Sequence, residues 1–195
     1  MGAMVALAVI GALALAAPGL PGVLVLVAGL VVAIPVCVAL GLLIERVAYR
    51  PLRHAPRLAP LITAIGVSII LQNIAMLVWG KQYIPFPAVL PQGRHAFHGA
   101  TVTDVQIAIL LLATSIMLLL ILVVQKTRLG RAMRATAQSR QVASLMGVDV
   151  NRVIAATFAI GSALAAVAGV MVSAYYGLAH YYMGFLLGLK AFSAA

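Results

Sequence analysis

Few residues in this 195-residue chain could do chemistry. Ser68 and Gln72 stand four apart in "LAPLITAIGVSIILQNIAMLVW" (58–79), so they share one face of a helix near its midpoint. Thr63 and Asn73 point elsewhere. Gln72 and Asn73 need hydrogen-bond partners in an apolar setting. They either bond between helices or make a polar contact on a substrate path. Lys190, in "FLLGLKAFSAA", is the one charge within an apolar run. It is either functional or snorkels to the interface near Tyr181 and Tyr182. His95 and His98 ("RHAFH") lack a third ligand and read as solvated loop histidines. Cys37 has no partner for an internal disulfide and reads as a buried, inert thiol. The acidic residues are Glu45, Asp104 and Asp149, none in a span interior. No Ser-His-Asp set, paired carboxylates or H-E-x-x-H is present. No G-x-x-x-x-G-K-[ST] loop is present either, so the chain does not itself hydrolyse ATP.

The elements that carry these residues are membrane helices. The chain is 65% hydrophobic and 8% charged, with a mean hydropathy of +1.16. A soluble domain cannot bury that much apolar surface. Spans are predicted at 3–17, 20–44, 58–79, 104–125 and 153–176, with a sixth apolar segment starting near 184. The fold class is therefore all-α, a polytopic helix bundle forming a single domain over 1–195. The first segment is short and reaches about 22 Å. "APGLPG" (17–22) is a turn, and Pro35 falls inside the second span. Both ends read as those of a fragment.

The basic residues orient the bundle. The 45–57 loop holds Arg46, Arg50, Arg53 and Arg57. The 126–152 loop holds Lys126, Arg128, Arg131, Arg134, Arg140 and Arg152, and the 80–103 loop only Lys81 and Arg94. Loops 45–57 and 126–152 are thus expected in the cytosol with the N-terminus, and 80–103 outside. The net charge of +10 sits between spans and does not imply nucleic acid. Thr103 and Gln106 form a capping-box pattern for the fourth span. Gly147 is set to end a cytosolic helix and Asp149 to cap the next. Gly161, Ala165, Gly169 and Ser173 repeat every fourth position on one face, continued by Gly177. That stripe suits tight helix packing, a narrow path or a subunit contact.

"QVASLMG" (Gln141–Gly147) lies in the long basic loop and resembles the E-A-A-x-x-x-G motif of ABC importer permeases. Gln141 stands at the Glu position, Val142 and Ala143 at the Ala positions, and Gly147 at the Gly. "IERVAYRPLR", "LITAIGVSIILQN" and "GFLLGLKAFSAA" are similar to the branched-chain amino acid ABC transporter permease, the H-type inner-membrane subunit. "TRLGRAMRA" and "GVDVNRVIAATFAIGSALAAVAGV" are similar to that family's coupling loop and following span. The resemblance covers nearly all of the chain from Ile44. Family members are longer at both ends, with an "INFAHG"-like motif before and a Gly-rich continuation after. The chain is therefore expected to be a fragment lacking both termini.

The resemblance implies a non-enzymatic transporter subunit in a bacterial inner membrane. It would act with a second permease subunit, two cytosolic ATPases and a periplasmic amino-acid-binding protein. Leucine, isoleucine or valine would be imported. ATP and Mg would bind the partner ATPase, and no cofactor this chain. The loop would form a docking helix from about Arg131 to Met146 with a low-profile apolar face. Arg131, Ala135, Gln141, Val142, Ala143 and Gly147 would lie at the ATPase contact. Arg131, Arg134 and Arg140 would grip lipid phosphates or acidic ATPase side chains. A permease for urea, other amino acids or sugars, or a non-transporting membrane fragment, stays open as an alternative.

Overall fold

The computed structural model describes residues 1–16, 22–54, 56, 59–87, 93–97 and 100–194. Residues 17–21 of the expected turn, Arg57 and His98 lie outside these. Among the described residues, eight α-helices and four short strands follow in order. They are α1 (Gly2–Ala16), α2 (Gly22–Ile44), α3 (Ala59–Trp79), β1 (Ile84–Pro85), β2 (Arg94–Phe97), β3 (Ala100–Thr103), α4 (Asp104–Lys126), α5 (Arg128–Gln138), α6 (Arg140–Leu145), α7 (Val150–Tyr176), β4 (Leu178–Ala179) and α8 (Met183–Ala194). Among the described residues, α2, α3, α4 and α7 are long and apolar enough to cross a membrane, and α1 is a shorter apolar helix. The chain is a multi-pass membrane protein.

Local chemistry explains the helix ends. Thr103 and the Gln106 side chain close a reciprocal capping box at α4, with Thr103 N donating to Gln106 Oε1 at 3.1 Å. Asp149 Oδ1 accepts from Asn151 N and Arg152 N at 3.1 and 3.2 Å, satisfying two orphan donors of α7. Gly147 (φ +79°) and Gly177 (φ +67°) end α6 and α7 in the left-handed region, where a Cβ is penalised. The expected single helix over Arg131–Met146 is in fact two. Ser139 is extended (φ −155°, ψ 116°), closing α5 and capping α6. Its hydroxyl accepts from Val142 N at 3.4 Å. A serine that bonds nearby backbone competes with the helical ladder, which is the reason for the break.

α2 does not stop at Ile44. It continues as a π-helix over Glu45–Tyr49 and a 3₁₀ turn over Pro51–His54. Glu45 O accepts from Arg50 N at 2.8 Å, the five-residue spacing of that helix. Glu45, at the start of this π-helix, is 6% exposed.

The core is built by α1, α2 and α7. Ala6, Ile10, Val25, Leu26, Ala33 and Val170 pack there with Phe86 from the connection after α3. Glycine allows the closest approaches. A Cβ on Gly41 would overlap Ser162 Oγ and stand 2.8 Å from Ser162 Cβ. One on Gly2 would stand 2.8 Å from Ala166 Cα. Gly2 therefore rests on the middle of α7, beside Cys37.

The 161–173 stripe divides. Gly169 and Ser173 face the bundle, with Ser173 1% exposed and a Gly169 Cβ 3.5 Å from Ala3 N. Gly161 is exposed, and a Cβ there would meet nothing within 4 Å. The tightest contact runs instead through Ser162 and Ala166, one position along.

β1 pairs antiparallel with β4, Ile84 opposite Ala179 and Pro85 opposite Leu178. This brings the C-terminal ends of α3 and α7 together. Tyr49, beyond α2, meets Phe158 in the first half of α7 at 5.0 Å. The 45–54 segment therefore lies at the opposite end from β1 and β4, the end where α7 begins. The connection from α4 through α5 and α6 enters α7 at that same end. β2 and β3 form a separate hairpin that leads into α4.

Candidate functional site: an intramembrane cavity and the α5–α6 segment

The bundle leaves an open cavity of about 320 Å³, walled by α1, α2, α3, α7, the β4–α8 turn and the start of α8. Ser68 and Gln72 line it from α3, Ser162, Ala165, Gly169 and Ser173 from α7, and Cys37 from α2. Helical geometry explains the α3 contribution: residues four apart stack on one face. Gln72 Nε2 donates to Ser68 Oγ at 3.1 Å, using one of the amide's two donors.

Asn73 faces away. It is exposed and donates to Ile69 O at 2.8 Å. Both amides find a hydrogen-bond partner within α3 itself. The side chains reach back exactly one turn, the same reach that satisfies Thr63 on Ala59 O at 2.9 Å. Lys190 is exposed on α8 and is not part of the cavity wall.

An aromatic lid borders the cavity at the β1–β4 end. His180 and Tyr181 line it. Tyr83 stacks on His180 with centroids 4.3 Å apart, and Tyr181 packs against the same ring at 4.2 Å. His180 Nδ1 accepts from Tyr182 N at 3.3 Å, so a neutral ring carries its proton on Nε2. Phe86 is 5% exposed, and its N–H donates to Gly177 O at 2.9 Å. The sequence marks His180 and the tyrosines only as interface residues. It gives no signal for Phe86.

The second group of residues lies on α5 and α6. Thr127 Oγ1 donates to Val123 O at 2.6 Å and accepts from Gly130 N at 3.0 Å, turning the chain sharply from α4 into α5. Gly130 is buried, and a Cβ there would overlap the Val124 carbonyl. Arg131 and Ala135 are exposed on α5. Arg134 is also exposed, but Nη1 donates to Val124 O, so its charge serves the C-terminal end of α4 rather than an outside anion.

On α6, Gln141 and Gly147 are exposed and Ala143 is 3% exposed. Ala143 is thus an inward anchor. The outward face is formed by Val142 (58% exposed), Leu145 (86%) and Met146 (79%). These apolar side chains protrude from a segment otherwise rich in arginine. The low-profile face expected from composition is a ridge.

The arrangement offers hydroxyls, an amide and an imidazole on an apolar wall. Among the described residues no cluster of histidine, cysteine or acidic side chains could hold a metal.

The family described as "Branched-chain amino acid transport system / permease component" matches residues 1–195. The chain belongs to this permease family. Among curated relatives of the permease is the "High-affinity branched-chain amino acid transport system permease protein LivH" of Escherichia coli (strain K12). It is 44% identical over 178 residues, 89% of this chain and 58% of that protein. The protein of the same name from Salmonella typhimurium is 43% identical over 176 residues, 88% of this chain and 57% of its own length. The corresponding BraD protein of Pseudomonas aeruginosa is 44% identical over 186 residues, 93% and 61%. The permease chain thus spans about three fifths of the length of these relatives. No solved structure matches it significantly.

Proposed function

We propose that the chain forms the transmembrane part of a permease subunit in an ATP-driven importer of leucine, isoleucine and valine. The observation that carries this reading is the α5–α6 segment. It presents the apolar ridge of Val142, Leu145 and Met146 on the basic side of the bundle, anchored by buried Ala143 and ended by left-handed Gly147. An exposed ridge of this kind in water is a docking surface. Its position in the "QVASLMG" stretch and the family membership support a cytosolic ATPase as the partner.

The assembly would contain a second permease subunit, two ATPases that bind ATP and Mg, and a periplasmic amino-acid-binding protein, in a bacterial inner membrane. Amino-acid delivery from outside would meet the Tyr83–His180 lid. Ser68 and Gln72 would contact the passing substrate. The exposed apolar faces of α3 and α4, such as Ile62, Leu77, Leu110 and Leu111, suit lipid or the helices of the second permease.

The test is co-purification of the assembled permease with a P-loop ATPase, with ATP-driven leucine uptake measured in proteoliposomes. Leu145→Glu and Met146→Glu together are expected to remove the ATPase while leaving membrane insertion unchanged. Retention of the ATPase by this double variant would overturn the docking assignment.

A further inference from the structure

We infer that the cavity is a carboxylate site, in which Ser173, His180 and the first turn of α8 take the acid group of an amino acid and the apolar wall takes its side chain. This rests on the transport reading above and deepens it. It says which end of the substrate the cavity recognises, and it adds Ser173 and His180 to the residues that set specificity.

The hydroxyls inside the long helices fall into two kinds. Thr63, Thr114, Ser115, Thr157 and Ser162 each donate to the carbonyl four residues back, at 2.8–2.9 Å. That bond is the ordinary use of a serine or threonine within a helix. Ser68 and Ser173 depart from it. The Ser68 hydroxyl accepts from Gln72 and keeps its own proton unspent among the described residues. Ser173 is 1% exposed and makes no hydrogen bond to any described residue. No buried side-chain oxygen or nitrogen among the described residues is sealed off without a partner, so the Ser173 hydroxyl opens on the cavity that it lines. Both exceptions therefore stand on the cavity wall. A buried hydroxyl left without a partner is costly, and a bound ligand removes that cost.

Further donors on the wall are unspent. His180 uses Nδ1 to accept from Tyr182 N, which leaves the Nε2 proton without a partner among the described residues. Gln72 gives one amide hydrogen to Ser68 and keeps the other. Met183 and Gly184, where α8 begins, also line the cavity. Met183 N and Phe185 N donate to His180 O and Tyr182 O at 3.2 and 3.1 Å, whereas Gly184 N, between them, makes no such bond. The first turn of a helix carries orphan N–H groups and a partial positive charge, which favour an anion. The unpartnered Ser173 hydroxyl is independent of that turn, since it comes from α7.

The sign of the site follows from its lining. Among the described residues on the wall there is no Asp, Glu, Lys or Arg. An ammonium group would find no counter-charge in this apolar setting. A carboxylate only accepts hydrogen bonds and needs several donors, which the two hydroxyls, the Gln72 amide, the imidazole and the helix terminus supply. The ammonium of a bound zwitterion is left to the hydroxyl lone pairs and Gln72 Oε1. Leu71, Val172 and Phe185 offer apolar surface to an aliphatic side chain. The cavity volume of about 320 Å³ lies at the small end of ligand sites, which suits one amino acid.

The experiment uses the assembled membrane transporter in nanodiscs, without its periplasmic protein, and measures equilibrium binding of radiolabelled leucine. Isocaproate, which has the carboxylate and the side chain but no ammonium, is expected to displace it. Leucinol, which has the ammonium but no carboxylate, is expected to compete far less. Ser173→Ala removes one hydrogen bond to a charged group and is expected to weaken leucine and isocaproate alike by about tenfold, with leucinol unchanged. His180→Phe keeps a ring for the Tyr83 stack and is expected to act in the same direction. Thr157→Ala, on the same helix but with its hydroxyl spent on Val153 O, is expected to stay within about twofold. The inference is overturned if no leucine binds, if leucinol competes as well as isocaproate, or if Ser173→Ala binds leucine as tightly as the unmodified protein. Carboxylate-selective binding without ATP-driven uptake is a separate outcome, which upholds the site and overturns the transport reading; uptake without such binding does the reverse.

Discussion

Tyr83 stacks on His180 with 4.3 Å between ring centroids and 23° between planes, tying the connection after α3 to the turn after α7. Together with the β1–β4 pair and the Phe86 N–H to Gly177 O bond, it joins these two connections at the end away from the basic loops. The contributions differ in kind. Phe86 is packed in the core, whereas Tyr83 is 66% exposed. Phe86→Ala is expected to cost about 3–5 kcal/mol, and Tyr83→Ala about 0.5–1.5 kcal/mol. Unfolding in detergent micelles checks the order. A Tyr83 loss larger than the Phe86 loss would mean that the lid, not the core, anchors this connection.

Gly41 and Gly161 make a matched pair for testing the packing. A methyl group at Gly41 collides with Ser162, whereas at Gly161 it meets open space. Gly41→Ala is expected to destabilise by about 1–3 kcal/mol through overpacking. Gly161→Ala is expected to be neutral or stabilising by up to about 1 kcal/mol, from helix propensity. Thermal unfolding of the two variants is the measurement. Equal losses at both sites would place a close helix against Gly161 as well.

Ala143 and Leu145 separate anchoring from docking. Ala143→Glu puts a charge where the side chain is 3% exposed and is expected to lower the stability of the cytosolic segment, seen as faster limited proteolysis at 139–149. Leu145→Glu, at a site 86% exposed, is expected to leave proteolysis unchanged and weaken ATPase binding by about tenfold or more. ATPase retention on an affinity column distinguishes them. The docking surface would be elsewhere if only Ala143→Glu released the partner.

Gln72 and Asn73 are neighbours with opposite surroundings. Gln72→Leu removes a polar group from the cavity wall and is expected to slow leucine uptake about tenfold, the effect of one lost hydrogen bond worth about 1.4 kcal/mol. Asn73→Leu, on the exposed face, is expected to stay within about twofold, since surface changes are usually worth under 0.5 kcal/mol. Uptake in proteoliposomes at matched protein levels gives the answer. Equal effects would remove the cavity from the transport path.

Much of the architecture was legible because membrane spans obey one-dimensional rules. Length and apolar content locate α2, α3, α4 and α7, and the Thr103, Gly147 and Asp149 signals mark ends that the structure places within a residue or two. These work because each cap involves residues two to four apart, so its chemistry is complete within a short window of sequence. The Ser68–Gln72 pairing was legible for the same reason. The split of the cytosolic helix at Ser139 was missed although serine is a known competitor of the helical ladder. Its neighbours are good helix formers, and propensity alone favoured continuity.

By itself, the sequence determined the membrane class, the long spans and the family resemblance, since all depend on composition or on contacts within one turn of helix. Only the tertiary structure decided which small residue of α7 receives Gly41, that Phe86 belongs to the core, that His180 borders a cavity shared with Gln72, and that Arg134 turns back to Val124. Each of these depends on the rotation of one element against another. A helix face in a uniformly apolar chain carries no label for its partner, so packing alone settles the choice.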